Sequence, residues 1–265
     1  MPRMSPVDLR SALADARTLV RKTAQEAARL ADSLRSERSK GGVDLVTEAD
    51  GYIEAALTAA LHERFPEHRI QAEEGTRLGP VDSPWCWHLD PLDGTGNFSR
   101  GLPYWAISLG LAHGDTPICG IIVGPQCGLD LAGGPGLGAW DGDRALAAAS
   151  PAGEERTWMI ATDWPWDLVE RQRTCTFLTR MAPRIRQYKT YGSAAVDLAH
   201  VALGKVDAYL ISRIFPWDQA GGAPICAALG YELRRWDGSP WDLRHADIVA
   251  CRPGMWPGLA AALAP

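Results

Sequence analysis

Residues 87–103 read Trp-His-Leu-Asp-Pro-Leu-Asp-Gly-Thr-Gly-Asn-Phe-Ser-Arg-Gly-Leu-Pro. The apolar run from Trp85 to Leu89 ends in Asp90-Pro91-Leu92-Asp93-Gly94-Thr95, so a buried strand is expected to deliver two carboxylates to a turn. Two anions held ~4 Å apart repel by ~4 kcal/mol at an effective dielectric of about 20. Such a pair persists only when solvated, protonated or neutralised by cations. Taken alone, the stretch reads equally well as a hard-metal site and as a solvated Asp-Pro turn before a helix cap.

Working outward, three more carboxylates occupy the same context, the end of a short element before a turn or helix. Glu73 follows the expected strand Arg69 to Ala72, and Asp50 stands three residues after Thr47 before a helix reaching about Arg64. Asp218 follows Trp217. Each has a plain alternative: Asp50 completes a capping box, Glu73 is solvated beside Glu74, and Asp218 is the N-cap of the helix after it. Together, oxygen donors without a His or Cys cluster point to Mg²⁺ or Mn²⁺ rather than zinc or copper. Gly94 lets a ligand approach the backbone, and the N–H groups of a helix starting at Thr95 attract phosphate. Gly192-Ser193-Ala194 repeats that arrangement at another helix start.

Composition bounds the partners. A chain of 265 residues, 46% hydrophobic and 22% charged, buries a substantial core in one large or two intimate domains. A net charge of −5, a pI near 5.7 and the lack of a Lys/Arg run exclude nonspecific nucleic-acid binding. The six cysteines show no C-x-x-C pair or zinc spacing and read as reduced core residues of a cytoplasmic protein. No stretch has the length and apolarity of a signal peptide or membrane span. Trp164 and Trp166 stand close enough in sequence to wall a pocket, but packing in the core or on the surface is the preferred reading for them.

An amphipathic first helix is expected from Ser5 as N-cap, with Leu9, Leu13, Ala16, Val20, Ala27, Leu30 and Leu34 at roughly helical spacing. A polar linker ends at Lys40-Gly41-Gly42, before an extended Val43 to Val46. Ala106 to His113 and Pro117 to Val123 form a hairpin about Gly114-Asp115. Ala145 to Glu155, small and proline-containing, is the expected boundary between an antiparallel domain, 1–148, and an α/β domain, 149–265. In the latter, one helix is expected over Asp218 to Leu229, with Pro224 disturbing its second turn.

These motifs, in this order, resemble the inositol monophosphatase family of metal-dependent phosphatases. The resemblance rests on Val43 to Thr47 with Asp50, Glu73-Glu74, Asp90-Pro91-Leu92-Asp93-Gly94-Thr95 with Asn97-Phe98, Gly192-Ser193-Ala194-Ala195, and Trp217-Asp218 with Ala220-Gly221. It implies an α/β (α+β) layered αβαβα fold, usually dimeric. It implies two or three Mg²⁺ ions, which activate water against a small phosphate monoester. Carried over by position, Glu73, Asp90, Asp93, Asp218 and the Leu92 carbonyl are metal ligands, and Asp50 with Thr95 orients and deprotonates the water. Gly94 and Thr95 N–H groups hold the phosphate, while Ser193 and Ala194 line the alcohol side. Inositol-cleaving members carry a Glu seven residues before the Asp of the W-D motif; here that position is Ile211. Arg213 nearby reads first as an exposed surface arginine and alternatively as a contact for an extra anion on the substrate. The family often has Thr where Gly96 stands, and Glu-Ala-Gly-Gly where Ala227-Ala228-Leu229-Gly230 stands.

The resemblance leaves several alcohols open: inositol phosphate, histidinol phosphate, fructose 1,6-bisphosphate and 3′-phosphoadenosine nucleotides. A haloacid-dehalogenase-type phosphatase is disfavoured, because its D-x-D motif separates the carboxylates by one residue and here two intervene. A non-catalytic protein that binds a phosphorylated metabolite is a further alternative, motivated by Ile211 and Leu229. The intact Asp50, Thr95 and Asp218 stand against it.

Overall fold

The computed structural model describes residues 6–34, 36–41 and 44–263. Helix α1, Pro6–Arg29, opens on a proline and an acidic first turn, both suited to the positive end of a helix. Ala12, Leu13, Ala16, Val20, Ala24 and Ala27 recur at helical spacing and are buried. The helix stops short of Leu34, and α2, Ala31–Leu34, follows as a separate turn. Ser5, the expected cap, lies outside the described residues.

The expected polar linker contains a strand. β1, Glu37–Gly41, pairs antiparallel with β2, Asp44–Thr47. No apolar alternation marks Glu37 to Lys40, so it is the partner strand that makes this segment extended. Gly42 and Val43 lie outside the described residues. α3, Glu48–Arg64, starts where Asp50 accepts the Thr47 backbone N–H at 2.7 Å.

The large sheet comprises β3, Arg69–Ala72; β4, Arg77–Leu78; β5, Trp85–Asp93; and, after the short helix α4, Thr95–Ser99, strands β6 to β10. These are Ala106–His113, Thr116–Gly124, Leu129–Gly134, Gly138–Asp141 and Arg144–Ala145. Its order is β10-β9-β8-β7-β6-β5-β3-β4, antiparallel except where β3 lies parallel to β5. β5 continues past Leu89 through Pro91 to Asp93, with its register against β6 broken between Asp90 and Asp93. That bulge turns the two carboxylates out of the pleat.

The second sheet contains β11, Met159–Ala161; β12, Gln187–Lys189; β13, Ala208–Ile211; β14, Glu232–Arg234; and β15, Ile248–Cys251, in the order β12-β11-β13-β15-β14. α5, Leu168–Met181, and α6, Ala194–Ala202, link its first strands. The single helix expected over Asp218 to Leu229 is two, α7, Pro216–Ala220, and α8, Ala223–Ala228, the second carrying Pro224 in its first turn. Proline there ends one helix and starts the next, as its missing N–H requires. α9, Trp256–Leu263, closes the chain.

Three apolar clusters set the layers. α1 and α3 pack on one face of the large sheet through Val20, Ile53, Leu57, Trp87, Leu109 and Ile121. α6 and α8 fill the space between the sheets through Leu198, Ile225, Ile122, Leu131 and Tyr209. α5 and α9 cover the outer face through Phe177, Met181, Leu259, Leu210 and Val249. The result is the αβαβα sandwich.

α7 lies unusually close to the large sheet. A Cβ added at Gly110 of β6 would sit 2.1 Å from the Ala220 carbonyl oxygen, and one at Gly120 of β7 would sit 2.0 Å from that of Gly221. Backbone therefore meets backbone between the middle layer and the sheet.

Candidate active site

The carboxylates predicted from distant parts of the chain meet at the end of β5. One oxygen from each of Glu73, Asp90 and Asp218 falls within 4.8 Å of the others, a grouping of a size that can hold a metal ion. Asp90 is 2% exposed, and its Oδ1 accepts the Leu92 backbone N–H at 2.9 Å. Burial pushes its carboxyl well above the usual range, helped by the charges of Glu73, Asp93 and Asp218. Burial likewise raises Asp218, with Asp93 and Glu73 adding to it. A carboxylate set this unfavourable in isolation is matched by divalent cations, which supply the missing charge to hard oxygen donors. The residues present therefore fit the metal that the motifs imply.

Asp93 stands beside this trio. Its Oδ2 accepts the Ala195 backbone N–H at the start of α6, and burial raises its carboxyl to about 7 against that bond. Asp218 occupies the third position of α7 rather than the expected N-cap, and its Oδ2 accepts the Phe215 N–H at 3.0 Å. The Glu73 turn is held from behind: Glu54 of α3, 4% exposed, accepts the N–H groups of Glu74 at 2.8 Å and Thr76 at 3.0 Å.

Asp50 is fully buried and reaches the turn through a hydroxyl. Thr95 Oγ1 lies 3.3 Å from Asp50 Oδ1 and 3.1 Å from the Leu92 carbonyl, while Asp50 Oδ2 accepts the Thr47 hydroxyl at 2.6 Å. Gly94 has φ of 98°, and a Cβ there would lie 2.7 Å from the Tyr104 carbonyl oxygen. Only glycine both adopts that conformation and clears the neighbouring loop. Asn97 ties this loop to the second sheet's side, donating to the Tyr104 and Tyr191 carbonyls, each at 2.7 Å.

A cavity of about 1060 Å³ opens from this turn. Glu73, Asp90, Asp93, Asp218, Leu92, Gly94 and Thr95 line it around the turn, with Ser193 and Ala194 buried beside them and Ile211 and Arg213 also on its wall. Asp50 does not reach the cavity wall.

The sequence reading missed Asp163 and Asp197. Asp163 Oδ1 accepts the Gly192 N–H at 2.9 Å, whereas its Oδ2 and both Asp197 oxygens find no donor. Burial raises both carboxyls, and the charge of Asp163 raises Asp197 further. Asp163 follows β11 closely, the same strand-end context that singled out Glu73 and Asp90, and that context was its available signal. Asp197 sits inside α6 and offered none.

An αβαβα sandwich that gathers carboxylates from separate elements at the wall of one cavity defines a class of hydrolases acting on small phosphate esters. The chain belongs to the inositol monophosphatase family, whose model matches residues 7–265. An inositol-1-monophosphatase of Synechocystis is 34% identical over 268 residues, covering 99% of this chain and 92% of that protein. Among solved structures, the extragenic suppressor protein suhB from Bartonella henselae superposes with a TM-score of 0.87 at 26% identity, covering 96% of this chain and 97% of that one. The inositol monophosphatase from Anabaena does so with a TM-score of 0.81 at 27% identity, covering 96% of each. The chain is a phosphoric monoester hydrolase in a metal-dependent family. Among the described residues no helix is long and apolar enough to cross a membrane.

Proposed function

We propose that this chain hydrolyses a small phosphomonoester with Mg²⁺, Mn²⁺ being an acceptable substitute, as a homodimer in the cytoplasm. Glu73, Asp90, Asp93, Asp218 and the Leu92 carbonyl would hold two or three ions, at the seam of units 1–148 and 149–265. The single observation that carries the reading is the convergence of Glu73, Asp90 and Asp218 within 4.8 Å at a cavity floor that also presents Thr95.

Divalent cations there supply charge against the phosphate oxygens and lower the pKa of water. The remaining steps belong to the protein. The Thr95 hydroxyl donates to Asp50 Oδ1, which leaves its lone pairs to accept a proton from an attacking water. A proton gained by Thr95 passes along that same hydrogen bond to Asp50. Asp50 keeps its orientation because its other oxygen is held by the Thr47 hydroxyl and N–H. Backbone N–H groups of Gly94 and Thr95 hold phosphate oxygens, and Ser193 and Ala194 border the alcohol. Inositol phosphate, the substrate class named for the Synechocystis relative, is one candidate alcohol ester.

A phosphate-release screen of candidate metabolites, with Mg²⁺ and with EDTA, tests this reading. Release with Mg²⁺ that vanishes in EDTA and in Asp93→Asn is expected. Equal release by wild type and Asp93→Asn would remove the assignment.

A further inference from the structure

Two of the carboxylates that converge at the cavity stand on short pieces of chain. Glu73 lies in the turn between β3 and β4, and Asp218 in the five-residue α7. The turn is held to its own neighbours: the Glu73 N–H donates to the Leu89 carbonyl of β5 at 3.0 Å, and Glu54 of α3 accepts the Glu74 and Thr76 N–H groups. None of those bonds reaches α7. A cation shared by Glu73 and Asp218 needs their separation fixed, so a link between the turn and α7 is where that distance is set.

Arg77 of β4 spans the two. Its Nη1 donates to the Ala72 carbonyl and, at 2.8 Å, to the Thr76 carbonyl, the residues on either side of Glu73-Glu74-Gly75. Its guanidinium carbon lies 5.8 Å from the ring centroid of Trp217, the residue before Asp218. The Trp217 carbonyl accepts the Ser108 hydroxyl of β6 at 3.0 Å, but its buried indole N–H finds no acceptor among the described residues. The ring is therefore oriented through its faces. Phe215 stacks on it with centroids 5.3 Å apart and an interplanar angle of 12°. Phe215, like Trp164 and Trp166, is exposed at the outer wall of the cavity, so the contacts from Arg77 through Trp217 to Phe215 run from the Glu73 turn to that wall.

We propose that Arg77 is a positioning residue for the metal site, clamping the Glu73 turn to the Trp217 ring and so setting the separation of Glu73 from Asp218. The inference rests on the reading of those two carboxylates as metal ligands, and it adds to them a residue outside the cavity lining. The plain alternative is an exposed arginine without a role, the ordinary state of its residue type. Against it stand three contacts that all go to the two segments carrying the ligands. A guanidinium suits the task because its N–H edge serves carbonyls while its flat face can lie on an indole; a lysine ammonium carries the charge without the face. The clamp is closed before a cation arrives, so it acts on metal affinity rather than on the chemical step.

Metal affinity, turnover and folding, read separately, test the proposal. Without substrate, Mg²⁺ is titrated by calorimetry and Mn²⁺ by electron paramagnetic resonance. Arg77→Ala is expected to weaken both ions roughly tenfold and Arg77→Lys roughly threefold, the range a cation–π contact and charged hydrogen bonds give. Trp217→Phe, which keeps a ring face, should stay within about twofold of wild type, whereas Trp217→Leu should weaken binding roughly fivefold. The double variant of Arg77→Ala and Trp217→Leu should bind about as weakly as the weaker single variant, because both changes remove one interaction. In turnover, Arg77→Ala should raise the apparent KM for Mg²⁺ while kcat at saturating Mg²⁺ stays within about threefold of wild type. Its Tm in EDTA should lie within about 2 °C of wild type, as for an exposed substitution. Unchanged Mg²⁺ and Mn²⁺ affinity in Arg77→Ala, losses that multiply in the double variant, or a fall in kcat without a fall in affinity overturns the clamp while the metal assignment stands. A Tm in EDTA lowered by more than about 5 °C makes Arg77 a folding residue and overturns it likewise. Wild type that binds neither ion removes the metal assignment itself, and the clamp with it.

Discussion

The two ends of the cavity are made in opposite ways. At the floor, side chains that water would solvate best are buried, as Asp90 is, or half-buried, as Asp93 and Asp218 are, and all three are pinned by backbone donors: Leu92 N–H to Asp90, Ala195 N–H to Asp93 and Phe215 N–H to Asp218. At the outer wall, side chains that water would solvate worst are exposed on loops. Each end is costly without a ligand, the first through charge repulsion and the second through apolar exposure. The two proposed roles, chemistry at the floor and substrate choice at the wall, should therefore respond separately to mutation.

The sharpest break between the two ends comes from the floor. Asp93→Asn is expected to lower phosphate release by roughly 10³-fold or more and to weaken Mg²⁺ binding measured by calorimetry, since the proposed ligand is also the anchor of α6 through the Ala195 N–H. Thr95→Ala should lower kcat about 10²-fold, the lower range for losing general-base assistance, while calorimetry finds Mg²⁺ affinity little altered. A parallel loss of metal affinity would merge the two roles.

Binding of the cation should also appear as stability. At a Mg²⁺ concentration of about 100 times Kd, roughly 2.7 kcal/mol of stabilisation is expected, raising Tm by about 5–10 °C for a chain of this size. Scanning calorimetry should find that shift reduced in Asp93→Asn and preserved in Trp164→Ala. A smaller shift in Trp164→Ala than in wild type would show that the ends are coupled.

The helix joining the ends gives a pH signature of its own. His200 of α6 is 6% exposed, and burial lowers its pKa to about 4 from an ordinary 6.5, with Lys205 adding to the effect. The unfolded chain therefore binds more protons between those values, so this contribution is complete above pH 6.5 and is lost as pH falls toward 4. Between pH 7 and pH 5 the loss is about 2 kcal/mol. Urea titrations at the two pH values should show it, and His200→Leu should flatten it. The smallest expected effect lies at the wall: Ile211→Glu should raise the kcat/KM for myo-inositol 1-phosphate by roughly tenfold relative to adenosine 5′-monophosphate, by giving a ring hydroxyl an acceptor.

The floor was legible in the sequence because its logic is local. Each carboxylate lies at a strand end or helix start, and turn residues such as Pro91 and Gly94 mark those places. Pro224 marked a disturbance in the helix expected over Asp218 to Leu229, but not its division into α7 and α8. What escaped depended on partners far along the chain. Glu37 to Gly41 is a strand only because Asp44 to Thr47 pairs with it. Asp163 and Asp197 stand 34 positions apart in number (197 − 163) and acquire meaning only when β11 and α6 are packed together. The α1 break at Leu30 follows no glycine or proline and was invisible for that reason.

The close seat of α7 on the large sheet bears on how a mutational map of this enzyme should be read. Gly110 and Gly120 face the Ala220 and Gly221 backbone, two to three residues from Asp218. Adding a methyl group at either glycine would lift α7 and carry Asp218 away from Glu73 and Asp90. A saturation screen scored by phosphate release should therefore mark both glycines as intolerant, although neither has a side chain to offer the substrate. Dead positions in such a screen would trace the supports of the site as faithfully as its chemistry.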